Sequence, residues 1–180
     1  MLEIAHELFY WHGIRAVGVD RIAAEAGVAP TTLYRLFASK DDLITAYVVR
    51  GGEFYQQWFE DALGDPADRD ARTRVLSLFD ALVDQVHPSR CRGCPFLIAL
   101  AETPDPNHPA NRAARATKAW VRQRFADLAD EAGVPRPAEF AARLALVMEG
   151  VYASVQATGT DGPAHDARAL VDDLFTLAGA

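Results

Sequence analysis

VDRIAAEAGVAPTTLYRLFASK, residues Val19–Lys40, is the stretch whose reading decides the fold. Ile22, Ala23 and Ala26 recur at helical spacing, so Val19–Ala26 reads as a short helix with one apolar face. Gly27 ends it, because a left-handed residue costs glycine little and turns the chain sharply. Pro30 suits the first position of a new helix, where its missing N–H would have had no partner. Leu33, Leu36 and Phe37 then recur on an inner face, leaving Thr31, Thr32 and Arg35 pointing outward. Two short helices about a glycine corner, with small Ala23 where they cross, predict a helix-turn-helix.

The outer face of the second helix carries the chemistry. Thr31, Thr32, Tyr34 and Arg35 are hydrogen-bond donors, and no acid lies between Pro30 and Lys40. A guanidinium can fork onto a guanine edge, and a threonine methyl can meet a thymine methyl. Tyr34 and Lys40 suit phosphate oxygens, which set register, and Arg21 can assist from the preceding helix. Glycine-turned corners are common, so the bare motif is weak evidence on its own.

The longer string ELFYWHGIRAVGVDRIAAEAGVAPTTLYRLFASKDDLITAYV is more specific. It resembles the DNA-binding domain of the tetracycline-repressor (TetR) family of transcriptional regulators. The matching pieces are Glu7-Leu8-Phe9, Gly13, Ile22-Ala23, Ala26-Gly27-Val28, Thr32-Leu33-Tyr34, Phe37 and Ser39-Lys40. Beyond this first third, the resemblance holds only in the pattern of helices. Gly18 stands where the family often has a capping threonine, and Pro30 and Leu36 where a basic residue and a histidine are frequent. The chain also opens directly in its first helix, without the basic arm usual in the family. These departures predict weak, strongly salt-sensitive DNA binding.

Composition sets bounds. A chain of 180 residues, 50% hydrophobic and 24% charged, is long enough for a sizeable core. No apolar run approaches the ~20 residues of a membrane span. Glu3 and Glu7 near the start argue against a secretory signal, so a cytoplasmic protein is expected. The net charge of -7 is unevenly placed: residues 1–50 hold 5 basic and 6 acidic side chains, and the acidity lies mostly beyond them. A net negative chain weakens non-specific attraction to DNA without forbidding a local positive face.

The helix pattern predicts an all-α protein of about nine helices, with a DNA-binding domain over 1–48 and an effector-binding and dimerisation domain over 49–180. Helix one spans about Leu2 to His12, and Ser39 caps a long fourth helix ending at Gly64, with Gly51-Gly52 as a bend or weak point within it. Asp65-Pro66, Cys94-Pro95, Pro137 and Pro163 are read as helix openings, and a seventh helix as about Ala110 to Ala132. Leu144, Val147, Met148, Val151 and Val155 widen the apolar face of the eighth helix, and Leu170, Leu174 and Phe175 that of the ninth. The excess width, with the family habit of dimerising through these two helices, predicts a homodimer on a roughly palindromic operator.

The resemblance further implies a small-molecule effector cavity among helices four to eight. Trp58, Phe96, Trp120 and Tyr152 are assigned to its wall, with Glu102, Glu149 and Gln156 as polar groups orienting the ligand. Arg112, Arg115, Lys118 and Arg122 form a basic row on helix seven, read as a solvated face. Cys91-Arg92-Gly93-Cys94 is a CxxC with no second CxxC or His pair to complete a zinc site, which leaves packing or a thiol/metal sensor as its readings. No phosphate-binding glycine loop, nucleophile elbow or HExxH is present, so no enzyme and no cofactor are expected. The function implied is a ligand-responsive repressor that a small molecule releases from DNA. The alternatives are a helical small-molecule-binding module of the same architecture with weak or lost DNA recognition, or the thiol/metal sensor.

Overall fold

The computed structural model describes residues 1–159 and 161–180. Among these, nine α-helices and no strand are found: α1 (Leu2–His12), α2 (Val19–Glu25), α3 (Pro30–Leu36), α4 (Lys40–Leu63), α5 (Ala71–Gln85), α6 (Pro95–Glu102), α7 (Pro109–Glu131), α8 (Pro137–Thr158) and α9 (Ala167–Ala178). A 3₁₀ turn over Pro163–Asp166 precedes α9, so Pro163 opens that turn and not the α-helix itself. The chain divides into two compact units, Met1–Phe54 with Pro95–Thr117, and Tyr55–Cys94 with Lys118–Ala180.

In the first unit, α1 buries Ala5, Leu8 and Phe9, and the Phe9 and Tyr47 rings meet at 5.5 Å. Burying one such side chain contributes ~1.5–3 kcal/mol. α2 closes at Gly27, where two main-chain hydrogen bonds define the corner. Val28 N–H donates to the Ala23 carbonyl at 3.0 Å, and Gly27 N–H, at φ +65°, to that of Ala24 at 3.0 Å. Only Leu33 of α3 is fully buried. Leu36, expected on the inner face, is 59% exposed. It lies beyond the narrow inward stripe of a seven-residue helix and borders the outward face.

α4 begins as expected, with Asp42 N–H donating to Ser39 Oγ at 3.1 Å. It continues as one helix through Gly51-Gly52. Gly52 is buried: a Cβ there would lie 2.7 Å from Thr117 Oγ1, so the glycine lets α7 approach closely.

In the second unit, α5 starts later than the Asp65-Pro66 reading placed it. Asp65 Oδ1 accepts from Ala67 N–H at 2.8 Å to hold a local turn, and Asp70 is the helix cap, accepting from Thr73 N–H at 2.7 Å. That bond with the Thr73 amide holds the Asp70 carboxyl below its ordinary range. The core is aromatic: Phe59 meets Trp120 edge-on at 5.3 Å and Phe125 at 5.4 Å, and Phe79 stacks on Phe125 at 6.0 Å. The Phe140 and Phe175 rings join α8 to α9 at 4.7 Å. Arg124 forks onto Glu60 at 2.6 and 2.8 Å, which raises its pKa further.

Candidate nucleic-acid interface

The reading face is built by the brevity of α3. Seven residues make two turns; with Pro30 at the start and Leu33 turned inward, Thr31, Tyr34 and Arg35 have only the outside left. Thr31 and Arg35 are exposed, Thr32 partly so, and Tyr34 is 51% exposed. Among the described residues, Thr31, Tyr34 and Arg35 side chains engage in no hydrogen bond or ion pair, so their donors are available to a partner. Lys40 opens α4 partly exposed, and Arg21 is exposed on α2. The exposed side of the acid-free run from Pro30 to Lys40 thus carries these donors, with α2 packed against α3.

The same unit holds a long-range clamp that sequence reasoning missed. Glu102, at the end of α6, accepts the Arg15 main-chain N–H on Oε2 at 2.9 Å, and its carbonyl accepts from Arg15 Nε at 3.1 Å. Glu102, expected as a ligand-orienting group of an effector cavity, thus anchors the loop between α1 and α2. Phe96 is likewise a buried residue of this unit. His108 Nε2 lies 3.5 Å from Asp41, tying the start of α7 to the first turn of α4.

In the second unit, four of the expected pocket residues surround one cluster or its rim. Tyr55 donates to Met148 Sδ at 3.2 Å, and its ring lies 5.3 Å from Trp58. Burial pushes the Tyr55 and Tyr152 phenols up, so both stay neutral, and they hydrogen-bond to each other. Glu149 pairs with Lys118, and its Oε2 is buried with no hydrogen-bond partner among the described residues. Lys118 is therefore not part of a solvated basic row. Trp120 is partly buried against Phe59, and Gln156 is exposed at the end of α8. The pairings of Tyr55 with Met148 and of Lys118 with Glu149 were not foreseen. Their partners lie 93 and 31 residues away on α8, and no local spacing encodes that.

The residues expected at a dimer interface separate into two layers. Leu144, Met148, Val151, Val155 and Phe175 are closed over by their own chain, so they are core beneath the surface and not the surface itself. Leu170, Leu174 and Val147 are at least partly exposed. Leu146 at 73% and Leu177 at 83% exposure were missed, because on a two-sided apolar helix the pattern does not say which side the fold covers. Gly150, Ala153 and Ala157 continue the exposed side of α8 with small residues.

Among the described residues no helix is long and apolar enough to cross a membrane, and no group of three His, Cys, Asp or Glu side chains could hold a metal ion. Residues 1–47 match the family model of bacterial regulatory proteins of the tetR family. The chain is 30% identical to SCO4454, a TetR-family transcriptional regulator from Streptomyces coelicolor, over 99% of this chain and 94% of that one, with a TM-score of 0.91. A TetR regulator structure from Streptomyces avermitilis is also 30% identical, covering 99% and 95% of the two chains with a TM-score of 0.86. The HTH-type transcriptional regulator YjdC of Escherichia coli is 23% identical over 174 residues, 97% of this chain and 91% of that protein. With a helix-turn-helix whose outward face offers donors and no acid, and with full-length relatives of this kind, the chain belongs to the TetR family of DNA-binding transcriptional regulators, which are not enzymes.

Proposed function

We propose that the protein acts in the cytoplasm as a homodimeric repressor that a small molecule releases from a roughly palindromic operator. The observation that carries this reading is the outward, acid-free face of α3. Thr31, Thr32 and Arg35 read base edges in the major groove, while Tyr34, Lys40 and Arg21 hold phosphates. The functional division places DNA reading in 1–48 and effector binding and dimerisation in 49–180. The exposed sides of α8 and α9, through Leu146, Leu170, Leu174 and Leu177, are the surface on which two copies join. A two-fold dimer sets its reading helices about 34–36 Å apart, one turn of DNA.

Effector binding is assigned to the second unit, around Tyr55, Trp58, Trp120 and Tyr152, with Glu149 and Lys118 as its polar groups. α4 supplies residues to both units as one helix and is separated from α3 by three residues, so a shift imposed near Tyr55 is passed along α4 toward the reading helix. Release requires that the effector prefer the arrangement that does not fit DNA, since a ligand indifferent to both shifts nothing. The test is gel retardation of the protein's own upstream DNA across a salt series, with candidate effectors then screened for release. Retardation that weakens with salt supports the reading. A protein that binds small molecules but retards no upstream fragment at any salt is instead a ligand-binding module of this architecture.

A further inference from the structure

We propose that Cys91 and Cys94 form an oxidation site for small peroxides, at which Cys94 is attacked first, beside the Lys118 ammonium, and Cys91 then closes a disulfide. Both cysteines are thiols in the loop between α5 and α6, only 9% and 3% exposed. Lys118 Nζ on α7 lies 3.7 Å from Cys94 Sγ. The ammonium has three donors, so it serves the sulfur while pairing with Glu149 on α8. A fixed cation beside a thiol favours the thiolate, the reactive form.

Three further titratable groups couple to this cluster, Glu149, Tyr55 and Tyr152. The Glu149 carboxylate pairs with Lys118 through its Oε1. Tyr55 on α4 and Tyr152 on α8 couple electrostatically to Cys94 and are kept neutral by burial. Cys91 Sγ faces its own loop, 3.8 Å from the Gly93 carbonyl.

Burial selects the reagent. Cys94, 3% exposed, is closed to bulky electrophiles, whereas hydrogen peroxide has two heavy atoms and travels where water does. The Cys94 thiolate attacks one peroxide oxygen; the S–O bond forms, the O–O bond breaks, and the departing hydroxide takes a proton to become water. The Cys91 thiolate then attacks the Cys94 sulfenic acid. The S–S bond forms, the S–O bond breaks, and hydroxide leaves to take up the proton that Cys91 released. The two thiols lose two electrons in total, and one peroxide becomes two waters. Two residues separate the cysteines, the spacing of dithiol pairs that close locally.

The position gives the chemistry a consequence. The chain passes between its two units at three places, after Phe54, Cys94 and Thr117. Tyr55, Cys94 and Lys118 are the second-unit residues at those crossings. A disulfide ending at Cys94 constrains the link into α6, whose last residue is Glu102, the partner of Arg15. That second step, oxidation read out as altered operator affinity, rests on the proposed function; the disulfide does not.

The test treats the reduced full-length protein with hydrogen peroxide and maps disulfides by mass spectrometry without reductant. Expected is an intramolecular Cys91–Cys94 bridge, seen as the loss of two hydrogens, and in Cys91→Ser a Cys94 sulfenic acid trapped by dimedone. Lys118→Met slows oxidation near neutral pH several-fold, about threefold for each pKa unit the cation contributes once the nucleophilicity loss is counted, and the gap closes in alkali. Lys118→Arg retains the rate. A Lys118→Met protein oxidised as fast as the parent, or a Cys94 no faster than in the urea-unfolded chain, overturns the proposal. If the bridge forms but operator affinity is unchanged, the regulatory step fails and the oxidation site stands.

Discussion

Glu102 holds Arg15 by two hydrogen bonds, one to its main-chain N–H at 2.9 Å and one from its guanidinium at 3.1 Å. The clamp explains Gly13, which sits at φ +91°, where a Cβ would also come within 3.1 Å of Glu102 Oε1. Gly13→Ala is expected to cost ~1–3 kcal/mol, because it meets backbone strain and a carboxylate together. Urea unfolding of the full chain measures it. An unchanged midpoint would mean that the loop relaxes freely and the clamp does not define it.

Gly51 and Gly52 are neighbours in α4 with opposite expectations. A Cβ on Gly51 meets nothing within 4 Å, whereas one on Gly52 meets Thr117 Oγ1 at 2.7 Å. Gly51→Ala therefore stabilises by roughly 0.4–1 kcal/mol through helix propensity and lost unfolded-state freedom. Gly52→Ala destabilises by about 1–3 kcal/mol through overpacking against α7. Thermal melts of the two variants should move in opposite directions; parallel shifts would contradict the close approach.

His6 sets an acid sensitivity in the first unit. Burial against Tyr47, whose ring lies 5.2 Å away, lowers the imidazole pKa from its ordinary 6.5, with Glu7 opposing only in part. Above pH 6.5 the ring is neutral folded and unfolded, and its packing contribution is intact. As pH falls, the unfolded chain takes up the proton first, so stability declines until the folded value is passed. His6→Gln should flatten this segment of the melting-temperature profile. A parent profile equally flat between about pH 7 and pH 5 would contradict the burial argument.

The exposed leucines of α8 and α9 carry the expected association. Leu146→Glu with Leu177→Glu should leave each protomer folded, since exposed substitutions cost within ~0.5 kcal/mol. It should also yield monomers in sedimentation where the parent sediments as a dimer. A double variant that still dimerises would move the interface elsewhere.

Much of this architecture was legible because local rules and the global fold agree. Gly13, Gly27 and Gly64 stop helices where expected, and Ser39 caps α4. The failures are equally physical. Asp65-Pro66 looks like a helix start, but Asp65 prefers its own turn, and Asp70 with Thr73 wins the cap. Gly51-Gly52 reads as a weak point because sequence cannot show that Thr117, 65 residues on, needs the space above Gly52. The outward face of α3 follows from helix geometry alone. The clamp on Arg15 and the Lys118 cluster depend on contacts between distant helices, which no local pattern encodes.

The reading face is tested most directly by footprinting the protein on its own upstream DNA, beside Arg35→Ala and Lys40→Ala. Expected are two protected major-groove patches one helical turn apart on one face of the duplex. Arg35→Ala should lose about 1–3 kcal/mol on that site while binding random DNA nearly as before, and Lys40→Ala should weaken both alike. Protection that survives Arg35→Ala unchanged, or a single unpaired patch, would contradict recognition by α3 of a dimer.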